Sequence, residues 1–168
     1  YVIKIRSGDN NNWAVYHHKS NANPEQYALY LDGSSVATDD SGLANDTSPT
    51  STVFSLTNGN YGNGSTNTYI GYFFSEVQGF SKFGSYKGGA SNYPFIWLGF
   101  RPAFVLIKGA VSGDGDAGQN WELYDNKRAG YNGGNNNLYP STNAAEDSAD
   151  RVQLMSNGFK INVNSDGV

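Results

Sequence analysis

Several groups of residues in this 168-residue chain have types and spacing that could carry chemistry. The loop Gly113-Asp114-Gly115-Asp116-Ala117-Gly118 satisfies the GxGxxG pattern of a phosphate-cradling turn. That chemistry needs a helix N-terminus beside the loop, yet Trp121-Glu122-Leu123-Tyr124 reads as a strand, and two carboxylates would repel a pyrophosphate. The nucleotide reading is set aside. The same loop contains Asp114-x-Asp116-x-Gly118, the opening of a calcium loop in which alternating carboxylates turn inward around an oxygen-seeking ion. Calcium takes about 6–8 oxygens, and the bidentate Glu that closes a full loop is absent. A solvated hairpin turn, which Asp and Gly favour, is the simpler reading, and calcium is the one cofactor to test.

Signals for catalysis are weak. Gly79-Phe80-Ser81-Lys82-Phe83 approaches a nucleophile elbow but carries Phe where the pattern needs Gly. Sugar cleavage needs a carboxylate pair across one groove, and no Glu-x-Asp-x-Glu run places such a pair on one strand. His17-His18 has no nearby Cys, and neighbours on a strand point to opposite faces, so the two are poorly placed to share one ion. The expectation is a chain that is not an enzyme.

The aromatics carry more. Asn12-Trp13-Ala14-Val15-Tyr16 and Asn120-Trp121-Glu122-Leu123-Tyr124 share an Asn-Trp-x-aliphatic-Tyr pattern. Within each, Trp and Tyr have opposite parity, so one is expected to face the core and the other to face out. Core packing is the default for such residues. An exposed Trp or Tyr beside an amide could instead stack on a sugar ring while the amide binds hydroxyls. Trp13, Tyr16, Trp121 and Tyr124, with Asn12 and Asn120, are therefore the candidate glycan-binding residues. The loops Asn10–Asn12 and Asn132–Asn137 offer further amides, although turns by themselves explain Asn and Gly there.

The elements that must position these residues come in two copies. Val2-Ile3-Lys4 and Leu106-Ile107-Lys108 open two segments of one order. Each continues with Ser-Gly-Asp, at Ser7–Asp9 and Ser112–Asp114, and then with the Asn-Trp string. Leu29-Tyr30 matches Leu138-Tyr139, Val53-Phe54-Ser55-Leu56 roughly matches Arg151-Val152-Gln153-Leu154, and Asn58-Gly59 matches Asn157-Gly158. The first copy, with a connecting segment, covers residues 1–98 and the second covers 99–168, the two forming one sandwich. The first copy closes with Thr68–Phe74, whose alternation puts Ile70, Tyr72 and Phe74 on one face. The second has no counterpart to it after Phe159–Asn164, so a further strand of the type Tyr-Ile-x-x-x-Phe is expected to follow in a longer protein. A start at Tyr1, without Met or signal peptide, agrees with a piece of a longer chain. Pro102 cannot donate to a central ladder and marks a corner between the copies. Asn143 and Glu146 form a capping box, which predicts one short helix there.

Composition bounds the rest. Charged residues make up 15% of the chain, while 21 Gly, 12 Tyr and 9 Phe accompany tracts of Asn, Ser and Thr. This is the profile of a turn-rich β protein, and Asp32-Gly33, Asn58-Gly59, Asn63-Gly64 and Gly133-Gly134 punctuate the apolar runs. The predicted class is all-β, a jelly-roll-like sandwich built from a duplicated strand motif with at most one short helix. A net charge of −4 gives phosphate backbones no attractive field, so nucleic acid is not an expected partner. Without cysteine there is no disulfide framework and no thiolate metal site. The most apolar stretch, Phe95 to Ile107, is broken by Arg101 and Pro102 and is shorter than the roughly 20 residues of a span, so no membrane insertion is expected.

Two strings carry a family resemblance. Tyr69-Ile70-Gly71-Tyr72-Phe73-Phe74-Ser75-Glu76-Val77-Gln78-Gly79-Phe80-Ser81-Lys82-Phe83-Gly84-Ser85-Tyr86 and Gly99-Phe100-Arg101-Pro102-Ala103-Phe104-Val105-Leu106-Ile107-Lys108 resemble motifs of an uncharacterised domain in marine bacteriophage tail-fibre and virion structural proteins. The Asn-Trp-x-x-Tyr pairs and Asn157-Gly158-Phe159-Lys160 fit the same pattern, so the likeness spans nearly the whole chain. It implies a concanavalin-like β-sandwich displayed on the virion surface, outside the cell, and supplies no catalytic residues. On this basis the expected function is a non-catalytic virion module, of tail-fibre or capsid-fibre type, that can bind host surface glycan. The expected partners are other virion subunits in a homo-oligomer and host cell-surface glycan. The alternative is a decoration or assembly protein without a receptor role. A polysaccharide depolymerase is a more distant third.

Overall fold

A computed structural model of the chain describes residues 1–5, 12–39, 41–57, 62–88, 93–110, 119–128 and 135–162. The protein is all-β, with antiparallel sheets throughout. Two compact units divide it: Tyr1–Phe74 with Ala110–Gly118, and Ser75–Gly109 with Gln119–Val168.

The first unit holds β1 (Val2–Ile5), β2 (Ala14–Val15), β3 (Tyr27–Tyr30), β4 (Thr38–Asp39) and β5 (Tyr69–Tyr72) in one sheet of order β4-β3-β2-β1-β5. A single turn of 3-10 helix at Pro24–Gln26 leads into β3, with Pro at a position where no amide hydrogen is needed. The only α-helix among the described residues, α1 (Ser41–Ala44), is one turn long. Its Leu43 and Ala44 are buried with Ala14, Tyr16 and Ala28, and Tyr1, Tyr30 and Leu56 close over them. Small residues at positions 14 and 28 let this short helical turn pack closely on the strands.

The second unit holds β6 (Phe95–Trp97), β7 (Phe104–Ile107), β8 (Glu122–Asp125), β9 (Val152–Met155) and β10 (Gly158–Ile161). They form a three-stranded sheet of order β6-β10-β9 and a two-stranded sheet of β7 and β8. Alternation decides what each strand buries. In β7, Val105 and Ile107 point inward while Phe104 and Leu106 are exposed, and in β9 Val152 and Leu154 are buried. These residues meet Tyr124, Phe159 and Ile161 in one cluster, so the two sheets face each other across a small sandwich core. Gly158 is required where β10 passes β6, because a Cβ there would overlap the Ile96 carbonyl oxygen.

The two segments matched in sequence also pair in one register. Tyr1 and Tyr16 exchange backbone hydrogen bonds, and their counterparts Val105 and Tyr124 are ladder partners. Val2↔Val15 and Ile3↔Ala14 correspond to Leu106↔Leu123 and Ile107↔Glu122. The correspondence continues in the third and fourth strands, where Val15↔Leu29 and Ala28↔Thr38 match Leu123↔Leu138 and Asn137↔Asp147. The match then fails: residues 53–57 lie in no ladder, whereas their counterparts form β9.

The helix expected from Asn143 and Glu146 is absent, and residues 143–146 are irregular. Glu146 does not reach back to cap a first turn. It accepts from Arg128 at 2.9 Å and from the Asn136 amide, while Asp147 is drawn into the bridge with Asn137. Tertiary partners outcompete the local capping pattern. The Ser-Gly-Asp strings, Asn58-Gly59, Gly133-Gly134, and the loop bearing Asp114 and Asp116 lie outside the described residues.

Candidate functional site

Two exposed aromatic side chains sit on β6, an edge strand of its sheet. Its centre, Ile96, packs with Leu98 against the core, and alternation turns Phe95 and Trp97 outward, 45% and 60% exposed. Trp97 is held from several sides. Gly99, at φ +83°, closes the turn after the strand, and a Cβ on it would come within 3.2 Å of the indole ring. The amides of Leu98 and Gly99 both donate to the Asn157 carbonyl, at 2.9 and 3.1 Å. Lys82 places its ammonium 5.0 Å from the ring centroid, a cation–π contact. A ring so supported can receive a flat apolar face with little ordering of its own.

Lys82 is positioned by a tight turn over Val77 to Ser81. The Phe80 and Ser81 amides donate to the Val77 carbonyl at 2.9 Å, and Gly79 supplies φ +77°. The Ser81 hydroxyl donates to the Ser75 carbonyl at 2.8 Å, and a Glu76 carboxylate oxygen accepts the Phe83 amide at 3.1 Å. Phe80 is 79% exposed on this turn. Ser81, the serine of the elbow-like string, is thus a turn-forming group.

Most of the aromatics singled out from sequence are occupied elsewhere. Tyr16 is buried and stacked on Tyr1, with ring centroids 5.1 Å apart. Trp121 and Tyr124 are both buried, contrary to the expectation that one would face out. Trp121 precedes β8, so strand parity does not govern it. Trp13 is half-buried, its backbone tied to Asp32 and Leu31. Asn12 is exposed, and Asn120 accepts from the Ser141 hydroxyl at 3.4 Å. None of the three buried rings offers a face for stacking.

His17 and His18 also depart from expectation. They follow β2 in a turn, and their rings stack at 5.2 Å. The Lys19 amide donates to Nδ1 of His17 at 3.2 Å, and burial with neighbouring positive charge holds that imidazole down at about 4. Among the described residues no group of three or more His, Cys, Asp or Glu is arranged to hold a metal ion.

A polar network that no sequence pattern announced lies in the second unit. Glu122, 3% exposed, accepts the Tyr124 hydroxyl and lies 3.5 Å from the Arg151 guanidinium. Arg151 also donates to Tyr139 at 2.8 Å and to Asn137 at 3.3 Å, and pairs with Asp147 at 2.9 Å. Beside it, Arg128 bridges Asp125 and Glu146 at 2.8 and 2.9 Å. Burial outweighs these partners at Glu122 and raises its carboxyl, whereas the Tyr139 hydroxyl and Arg151 hold Asp147 low. In the first copy the matching ladder positions are Ala14, Ala28 and Thr38. The first copy thus places two buried alanines and an exposed threonine where the second has a charged, hydrogen-bonded cluster. The network ties β8 and Arg151, the residue before β9, to the segment 135–147.

The chain belongs to the DUF7483 family, a domain of unknown function whose profile matches residues 1–168. No curated protein and no solved structure matches it.

Proposed function

We propose that this chain is a non-catalytic structural and binding module of a bacteriophage particle, of tail-fibre or capsid-fibre type, that contacts host surface glycan through the outer face of β6. The phage assignment rests on the likeness of Tyr69–Tyr86 and Gly99–Lys108 to virion proteins. The binding assignment rests on one observation: Trp97 is 60% exposed yet braced by Gly99 and Lys82. A pyranose presents a ring of C–H groups that stack on an indole, and its hydroxyls accept from an ammonium. Phe95, two residues away on the same face, extends the platform. Single contacts of this kind are weak, and a homo-oligomer on a particle multiplies them.

Binding of the chain to host-cell polysaccharide and to a glycan array tests the reading. Trp97→Ala should lower affinity at least about tenfold with the melting temperature unchanged. Silence of the unaltered chain across all glycans and host cells would favour the alternative, a decoration or assembly protein. Release of reducing ends from the polysaccharide would instead mark a depolymerase.

A further inference from the structure

We infer that the edge of β7 that no described strand pairs with is a slot for a donated antiparallel strand with the chemistry of β5. This rests on the repeated register and not on the glycan reading. In the first copy, Tyr1 spends its backbone groups on Tyr16, so by alternation Val2 and Lys4 turn theirs to the other edge of β1. There they meet Tyr72 and Ile70 of β5, with Gly71 opposite Ile3.

The second copy repeats this geometry as far as a partner for β7, which no described strand supplies. Ala103 accepts the Asn126 amide at 3.1 Å, and Val105 and Ile107 are the counterparts of Tyr1 and Ile3. The backbone groups of Phe104 and Leu106 therefore point away from β8. Leu123, opposite Leu106, confirms the parity, since it exchanges its bonds with Leu138 at 2.9 and 3.0 Å. Among the described residues no strand pairs with this edge of β7. Nor is the edge guarded: Phe104-Val105-Leu106-Ile107 contains no charge and no proline, the usual defences of an edge strand. Phe104 and Leu106 expose 57% and 39% of their surface beside it.

The first copy specifies the occupant. An uncharged, alternating segment such as Tyr69-Ile70-Gly71-Tyr72 would arrive antiparallel, its residue 72 equivalent facing Leu106 and its glycine facing Ile107. A second β7 lacks that glycine and fits less well.

A labelled synthetic peptide of residues 67–74 titrated into the 168-residue chain, read by fluorescence anisotropy, tests the slot. Saturable 1:1 binding is expected, at least tenfold weaker for a Tyr72→Pro peptide. Leu106→Pro in the chain should cause a similar loss, since it removes an amide facing the slot and none of the β7·β8 bonds. The peptide variant leaves the protein untouched and tests backbone pairing by the peptide even if Leu106→Pro impairs folding. Equal binding of both peptides, binding retained by Leu106→Pro, or no saturation at millimolar peptide overturns the proposal. So does sedimentation of the chain alone as a dimer that Leu106→Pro dissolves, which would give the edge to a second copy. Trp97→Ala should leave peptide binding unchanged, which separates this slot from the glycan platform.

Discussion

Glu122 and Arg151 meet 3.5 Å apart inside the second unit, at a ladder position where the first copy carries Ala14. Nearly all of Glu122 is out of water, so its charge depends on Arg151 and on the Tyr124 hydroxyl.

Removing one partner of this pair should cost more than removing both. Arg151→Ala strands a buried carboxylate, and a loss of about 3 kcal/mol is expected in urea unfolding. The double variant Glu122→Ala, Arg151→Ala recreates the apolar solution of the first copy at position 122 and should be more stable than Arg151→Ala alone. A double variant as unstable as the single would show that the charge pairing is not what matters.

The pH dependence of Glu122 has a definite sign. Burial raises its carboxyl in the folded state, so its contribution to stability is full below the unfolded value of 4.5 and is lost as pH rises through the raised one. Glu122→Gln imitates the protonated form. Its melting temperature relative to the unaltered chain should therefore increase between pH 4 and pH 7.

His17 works in the opposite direction. Its imidazole is held at about 4, against an ordinary 6.5, and its Nδ1 accepts the Lys19 amide. Its contribution to stability is therefore full above 6.5 and falls as pH drops toward 4, because protonation puts a charge on a partly buried ring beside other positive groups and also removes that acceptor. His17→Asn, which keeps an acceptor without a titrating group, should lose this part of the acid sensitivity in thermal melts between pH 7 and pH 4.

Gly158→Ala should destabilise the second unit by about 2 kcal/mol, as overpacking does in a filled site. The added methyl would meet the Ile96 carbonyl and the Phe95 ring, and β6 would have to move. Gly84→Ala, which meets nothing within 4 Å, is the matched control and should leave chemical denaturation unchanged. If Gly158→Ala also weakens glycan binding, the platform on β6 depends on its contact with β10.

Much of the architecture was readable from the chain itself. Alternating aromatics and aliphatics, frequent Gly and Asn turns and the near absence of helix patterns lead to an all-β protein, because side-chain period and turn chemistry are local properties. The matched strings around Trp13 and Trp121 were equally plain, and their counterparts pair in one register. The alternation Phe95-Ile96-Trp97-Leu98 also carries the signal of the exposed pair on β6, because strand parity puts Phe95 and Trp97 on one face and Ile96 and Leu98 on the other.

Tertiary structure alone decided which aromatics reach solvent and which charges are buried. Parity says that two residues face opposite sides of a strand, but not which side another sheet covers, and a residue just outside a strand, like Trp121, escapes the rule altogether. The Glu122 network was hidden for a related reason. Its partner Arg151 lies 29 residues away along the chain, and a glutamate on a strand reads as a solvent-facing residue until the fold brings a guanidinium to it. Burial is a property of what packs against a residue, and that is settled by contacts distant in sequence.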